Sequence, residues 1–288
     1  MNIRVRRYRA MAAATAAALC SVTVVVAAAA PAEAATVKTV RVRMTDSAIT
    51  FHGGGAMAMN GGTMLPAGRY HFHVVAPDGA HSLQLLRFQN GYTPDQAQQD
   101  FVTAFEGDVA AVQRIDNGVL FLGGASARPH NPGDMVARVR AGQVAALDVN
   151  GSAMGLLQVT GSGAADAPSN DGKFTAFSFG WGVSKHLPAV GTVKLSNQAD
   201  QPHFLVLQRV KDGTTTKQVR KFINSGAQGN PSWALKASAD TGVLSPGKSQ
   251  LISYELPPGK YFIACFWPDY FTGAPHFLMG MWKLVTLS

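Results

Sequence analysis

The 288-residue sequence predicts an all-β protein made of two β-sandwich domains with short helical inserts. Three observations predict it. Short runs rich in Val, Phe, Tyr and Thr alternate with Gly, Pro, Asn and Asp turns along both halves of the chain. A stretch beginning at His81 matches one beginning at His203 without a gap: His81, Leu83, Leu85, Arg87, Gly91, Thr93 and Gln96 coincide with His203, Leu205, Leu207, Arg209, Gly213, Thr215 and Gln218. One β-domain therefore occurs twice. Between the copies, residues 160–172 are small, polar and rich in Gly, Pro and Ser, the texture of a linker.

In chain order, Arg4, Arg6, Arg7 and Arg9 precede an Ala/Val-rich run over 10–30, then Pro31 and the small-residue triplet Ala32-Glu33-Ala34. That pattern predicts a secretory signal peptide over 1–34, cleaved after Ala34. Cys20 follows Leu19, where a lipobox needs a small residue, so this cysteine is expected to leave with the signal. The Arg6-Arg7 pair hints at twin-arginine export without deciding the route. Removing four Arg and one Glu lowers the net charge from +8 to +5. A secreted, extracytoplasmic protein is expected, with no stable membrane insertion, and no Lys/Arg run is dense enough for nucleic acid. Cys265 is then the one remaining cysteine. In an oxidising compartment an odd thiol pairs with another chain, reacts, or binds a metal.

The first domain, 35–160, carries candidate strands at 37–44, 69–75, 81–88, 136–139 and 144–149. The second, 173–288 after a linker at 161–172, carries them at 174–179, 191–196, 203–210, 250–255, 261–266 and 281–287. A helical insert follows each matched strand. Residues 94–105 place Ala97, Phe101, Val102 and Phe105 on one face, and 216–224 do the same with Val219, Phe222 and Ile223. A further helix is expected from an Asp108 N-cap to Asn117. Each half then continues with a Pro-Gly turn (Pro132-Gly133, Pro246-Gly247), a strand, a Gly turn (Gly142, Gly259) and another strand. Aligned on those turns, Cys265 stands where the first copy has Asp148. The first copy keeps a histidine, His81, but has lost the soft ligand at the cysteine position and has no Pro-His-x₄-Met segment after it.

The segment from Cys265 to Met281 holds a thiol, an imidazole (His276) and two thioethers (Met279, Met281) around a Pro- and Gly-containing turn. Thiolate, two imidazoles and a weak axial thioether are the donor set that selects copper in a trigonal site, and His203 is the candidate second imidazole. Taken singly, an inert thiol, core histidines and space-filling methionines are the plainer reading; together and in this order they point to a metal. Residues 173–288 resemble the cupredoxins, the Greek-key β-sandwich proteins of type 1 copper. The likeness lies in the turn Asn197-Gln-Ala-Asp-Gln-Pro-His203, in a strand ending at Cys265 after a Pro-Gly turn, and in Pro275-His276-x₃-Gly280-Met281. It implies two cupredoxin-like domains and one copper ion held by His203, Cys265, His276 and Met281. The loop between Cys265 and His276 is longer than in the small members of that family, and Met279 stays open as the axial donor.

In oxidases and reductases of this family a histidine beside the cysteine wires the copper to a second centre. Here the neighbours are Ala264 and Phe266, so one-electron transfer with an unknown redox partner protein is expected, and no enzymatic activity. Two other classes are carried: a metal-free sandwich used for binding or adhesion, and envelope copper trafficking or storage. The second rests on Met57, Met59 and Met64, preceded by Met44 and His52, and on His71 and His73, which alternate on one strand face. A surface loop and a solvent-facing histidine pair are the plainer account of those residues.

Overall fold

The structure, a computed structural model, describes residues 37–163, 166–227 and 229–288. The expected signal peptide at 1–34, with Cys20, lies outside the described residues. The first half contains β1 (Lys38–Thr45), β2 (Ala48–Gly53), β3 (Met57–Met59), β4 (Gly62–Pro66), β5 (Gly68–Val75), β6 (His81–Phe88), α1 (Pro94–Phe105), α2 (Val109–Gly118), β7 (Val119–Ala127), β8 (Gly133–Val139), β9 (Gly142–Asp148) and β10 (Met154–Thr160). The second contains β11 (Gly172–Phe177), β12 (Gly180–Val183), β13 (Val190–Asn197), β14 (Val206–Val210), α3 (Thr216–Asn224), β15 (Ala234–Asp240), β16 (Ser249–Glu255), β17 (Gly259–Ala264) and β18 (Trp282–Leu287). A 3₁₀ turn, His276–Met279, precedes the last strand.

The repeat extends from residues to pairings. β1 pairs antiparallel with β2 and parallel with β5, as β11 does with β12 and β13. The antiparallel pairs β5–β8, β6–β7, β6–β9 and β9–β10 recur as β13–β16, β14–β15, β14–β17 and β17–β18. Equivalent strands of the two halves then pair with each other, β8 with β16 antiparallel. The result is one eight-stranded sheet in the order β12-β11-β13-β16-β8-β5-β1-β2, symmetric about its centre. A six-stranded sheet covers the first half of it and a four-stranded sheet the second. This is the all-β, two-sandwich, cupredoxin-like fold that the sequence predicts, with the helices as short inserts.

Period-2 alternation explains the core. Val40, Val42 and Met44 on β1 and Tyr70, Phe72 and Val74 on β5 face inward, while Arg41 and Arg43, which alternate with them on β1, are exposed. Both matched Thr/Gln pairs are reciprocal capping boxes, Thr93 with Gln96 and Thr215 with Gln218, and Asp108 caps α2 as expected. The matched arginines hold matched turns: Arg87 Nη1 donates to Ala141 O at 2.9 Å and Arg209 Nη2 to Pro258 O at 3.0 Å.

Three local expectations are corrected. Val102 is exposed and the inward face of α1 is Ala97, Asp100 and Ala104, because Asp100 takes hydrogen bonds from Arg114 and Tyr92 and need not face water. His203 precedes β14 and is held instead by a two-way bridge to Leu244. Phe266 lies past the end of β17, where the chain turns into the Cys265 loop. Strands β2, β3, β4, β7, β10, β12 and β15 were not legible: β7 is a Gly- and Ala-bearing run, and β3 and β12 have only three and four residues.

The halves meet closely at Gly123, Gly124 and Gly242, where Gly242 N donates to Gly124 O at 2.9 Å. A Cβ on Gly124 would sit 1.8 Å from Leu83 O, whereas one on Gly180 would meet nothing within 4 Å. Gly124→Ala is expected to destabilise the protein by at least about 1–3 kcal/mol, the cost of overpacking, and Gly180→Ala to be near neutral. Denaturant midpoints of the two variants check this.

Candidate metal centre

His203 reaches the interior from the turn after β13. Buried Asn197 fixes that turn: its Nδ2 donates to Gln201 O and Leu244 O, both at 2.8 Å, and its Oδ1 accepts from Ala199 N at 2.9 Å. Cys265 follows β17 directly, its N–H donating to Met281 O at 3.2 Å and its carbonyl accepting from Phe277 N at 2.8 Å. The ten residues between Cys265 and His276 fold back on themselves: Pro268 bridges Pro275, and His276 N donates to Trp267 O at 2.9 Å. Buried Asp269 organises the tip, accepting from Phe271 N, from Thr272 N and Oγ1, and from Gln201 Nε2. Gly280 ends the 3₁₀ turn at φ 108°, a left-handed conformation suited to glycine, and Met281 N closes back onto His276 O at 3.0 Å.

Three donor atoms converge. Cys265 Sγ lies 3.5 Å from His203 Nδ1 and 3.7 Å from His276 Nδ1, and the two Nδ1 atoms are 3.0 Å apart. A point equidistant from all three lies about 2 Å from each, the length of a metal–imidazole bond. All three residues are buried. His276 Nε2–H donates to Gln201 Oε1 at 3.2 Å, which leaves the Nδ1 lone pair aimed at the triangle, the usual way an outer partner fixes a ligand tautomer. His203 Nε2 is buried without a hydrogen-bond partner. The residues fit copper, the ion that a thiolate with two imidazoles selects.

Burial sets the protonation states. Desolvation lowers His203 to about 3, helped by the neighbouring His276. Desolvation also lowers His276 to about 4, against the opposing pull of Asp269 and Asp200. Both rings are neutral at physiological pH, the form that ligates. The Cys265 thiol is pushed up to about 12 by complete burial, although the backbone N–H groups of Phe204 and Trp267 favour its thiolate.

The first half shows what the same framework becomes without the sulfur. His81 and Asp148, equivalent to His203 and Cys265, are in contact, His81 Nδ1–H donating to Asp148 Oδ2 at 2.6 Å. The other nitrogen donates to Asp78 Oδ1 at 3.1 Å. Desolvation works against the charged form of His81, but hydrogen bonds and charge from Asp148 and Asp78 outweigh it and the pKa is raised.

His203, Cys265 and His276 thus come together as the sequence pattern requires. Met281 is wholly buried in the core cluster that includes Cys265 and Trp267. Met279 is 38 % exposed, with Thr272 Oγ1 donating to its Sδ at 3.9 Å. Among the aromatic residues of this loop, Trp267 is sealed between halves by Phe121, Phe101 and Phe105 at ring separations of 5.2, 6.3 and 5.8 Å. Phe271 is 73 % exposed and covers nothing. Sequence reasoning missed Gln201 and Phe179. Gln201 sits two residues before His203, inside the turn already singled out. Phe179 stands edge-on to His276 at 5.6 Å, and no local pattern announces it.

No family model and no curated protein matches the sequence. Among solved structures, auracyanin B aligns at 22% identity over 43% of this chain and 93% of its own, TM-score 0.26. A reduced auracyanin from Roseiflexus castenholzii aligns at 20% over 40% and 94%, TM-score 0.26. A multicopper oxidase aligns at 12% over 87% and 88%, TM-score 0.24. The expectation of no enzymatic activity is corrected here, since the solved chains aligned over 87% of this one are copper oxidases. Its basis was narrow: Ala264 and Phe266 exclude one through-bond path from the cysteine and say nothing about other routes. Among the described residues no helix is long and apolar enough to cross a membrane.

The buried rings and thiol dictate a pH profile for the metal-free protein. Below an ordinary 6.5 the unfolded chain binds protons that folded His203 and His276 refuse until about 3 and 4, so stability falls as pH drops through that window. Above an ordinary 9.0 the unfolded thiol ionises while folded Cys265 holds its proton to about 12, so stability falls again as pH rises. Raised His81 works the other way near neutrality and narrows the plateau. Thermal melts from pH 4 to 11 are expected to trace a dome between about pH 6.5 and 9.

Proposed function

We propose that the second sandwich half holds one copper ion through His203, Cys265 and His276, with Met281 as a weak fourth donor, and that the protein transfers single electrons in an extracytoplasmic setting. What carries the reading is the triangle of two Nδ1 atoms and one Sγ, with edges of 3.0, 3.5 and 3.7 Å in a buried interior. Copper, when bound, supplies a couple that gains or loses one electron. The chain does the rest. Gln201 holds the His276 ring and Asn197 holds the turn that carries His203, so the donors are placed before an ion arrives. Phe204 and Trp267 N–H groups favour the thiolate that Cys265 must become. The Trp267 packing and the fully buried donors exclude water. His276 has no exposed edge, so an electron arriving from a redox partner protein would cross half-buried Phe179, which covers its ring. We also propose the two sandwich domains and linker of the sequence reading, 35–160, 161–172 and 173–288.

Adding Cu(II) to purified protein at neutral pH is expected to give the intense visible thiolate-to-copper band, narrow EPR hyperfine splitting and release of about one proton per ion from Cys265. Cys265→Ser is expected to abolish the band. A folded, reduced sample with no band would leave a metal-free sandwich as the reading.

One observation favours envelope copper trafficking as a second reading. Met57 pairs in register with Met64 across the β3–β4 hairpin, so alternation puts Met57, Met59 and Met64 on one face, with Met57 and Met59 about half exposed. Thioethers of this kind suit Cu(I). Replacing all three by Leu is expected to remove one Cu(I) equivalent in a chelator competition; unchanged stoichiometry would reject the idea.

A further inference from the structure

The outer face of the eight-stranded sheet carries a second cluster of ligand-type side chains. His71 and His73 lie two residues apart on β5, so both leave the sheet on the side opposite buried Tyr70, Phe72 and Val74. β8 runs antiparallel beside them and sets Asp134 directly opposite His73. One carboxylate oxygen, Asp134 Oδ1, lies 2.6 Å from His71 Nε2 and 2.8 Å from His73 Nδ1. The three ligand atoms all fall within 4.8 Å of one another. Their side chains are 35, 34 and 26 % exposed, open to an ion from solvent yet held by the sheet. The remaining nitrogen of His71, Nδ1, is 3.2 Å from Thr39 Oγ1 on β1, so a third strand orients that ring.

We propose that His71, His73 and Asp134 form a second metal site that takes Cu(II). Two imidazoles and a carboxylate suit borderline divalent ions, and Cu(II) heads the ordinary affinity order. With no sulfur donor, the set is unsuited to Cu(I), which separates it chemically from the buried centre. The surroundings sharpen the choice. Arg41, in register with His73 on β1, and Arg43, Arg69 and Arg138 belong to the same face of the sheet. Set against two carboxylates, Asp134 and the Asp166 that interacts with Arg69, these four cations repel ions held by charge alone, such as Ca²⁺ or Mg²⁺. An ion that bonds to imidazole nitrogen is disfavoured far less. Three adjacent strands supply the donors and their support, which is the rigidity a site of defined geometry needs.

The test is a Cu(II) titration of the full chain followed by visible absorption and EPR. Expected is a colourless equivalent, with wide hyperfine splitting and nitrogen couplings, in addition to any equivalent that develops the thiolate band. His73→Gln and Asp134→Asn should each weaken the colourless equivalent at least about ten-fold and leave the band untouched. Asp134→Asn keeps a carbonyl oxygen for the two rings, so with an unchanged melting temperature it reports on the ion and not on folding. Cys265→Ser should remove the band and spare the colourless equivalent; a missing band with the colourless equivalent intact would count against the buried centre alone. The proposal is overturned if the full chain takes up no colourless equivalent, or if that equivalent binds as tightly in both variants; the cluster is then a hydrogen-bonded His–Asp–His group only.

Discussion

Two imidazole nitrogens and a sulfur packed within 3.0–3.7 Å of each other, out of contact with water, are a costly arrangement, and much of the second half is organised to sustain it. The Cys265 S–H can satisfy one of the two Nδ1 atoms, and the lone pair of the other faces its neighbour in a low-dielectric interior with little to offset its desolvation. The three donors stay together only if the surrounding chain leaves them nowhere else to go. Asn197 and the Leu244 bridge fix His203, Gln201 caps His276, and Asp269 gathers the loop that carries His276 toward Cys265. Neutral rings and a reluctant thiol are consequences of the same burial. They also define what the centre wants: a cation that bonds to soft and borderline donors and needs no water.

The duplicated half gives an internal comparison. His81 and Asp148 occupy the positions of His203 and Cys265, and the contact between them survives. A carboxylate in place of the thiol turns a ligand pair into a charge-assisted hydrogen bond, and with Asp78 on its other nitrogen His81 favours its cation, where His203 is driven to be neutral. One framework thus yields two opposite electrostatic environments, through carboxylates on both nitrogens of His81 and a thiol with a second imidazole beside His203. The β8–β16 pairing joins the halves into one sheet, and α1 of the first half lays Phe101 and Phe105 against Trp267 beside the second half's centre. Neither half by itself provides the cover that the donors have.

The legible part of this protein was what repeats or is local. The gapless match from His81 and from His203 foretold equivalent strands with helical inserts after them, and the matched Gly turns set Asp148 opposite Cys265. Helix bounds came from cap chemistry within four residues. β7, with its Gly123-Gly124-Ala125 centre, escaped because it owes its strand state to neighbours more than to its own side chains, and β3 and β12 are too short to show a period. Val102 was misplaced for a related reason: helical period alone cannot foresee that Asp100 would be drawn inward by Arg114 and Tyr92.

The sequence by itself determined the donor types, their order and the turn residues that bring them near, because ligand chemistry and backbone preference are properties of single residues and short segments. Tertiary structure decided the rest. It chose which nitrogen of each ring faces inward, buried Met281 while leaving Met279 at the surface, and set Gln201 and Phe179 against His276. It also carried Asp134 to His71 and His73, more than sixty positions away in the chain. Those outcomes depend on which strands lie side by side and in what register. That is fixed by packing across the whole sandwich, where contacts distant in sequence compete, and no short window contains the information.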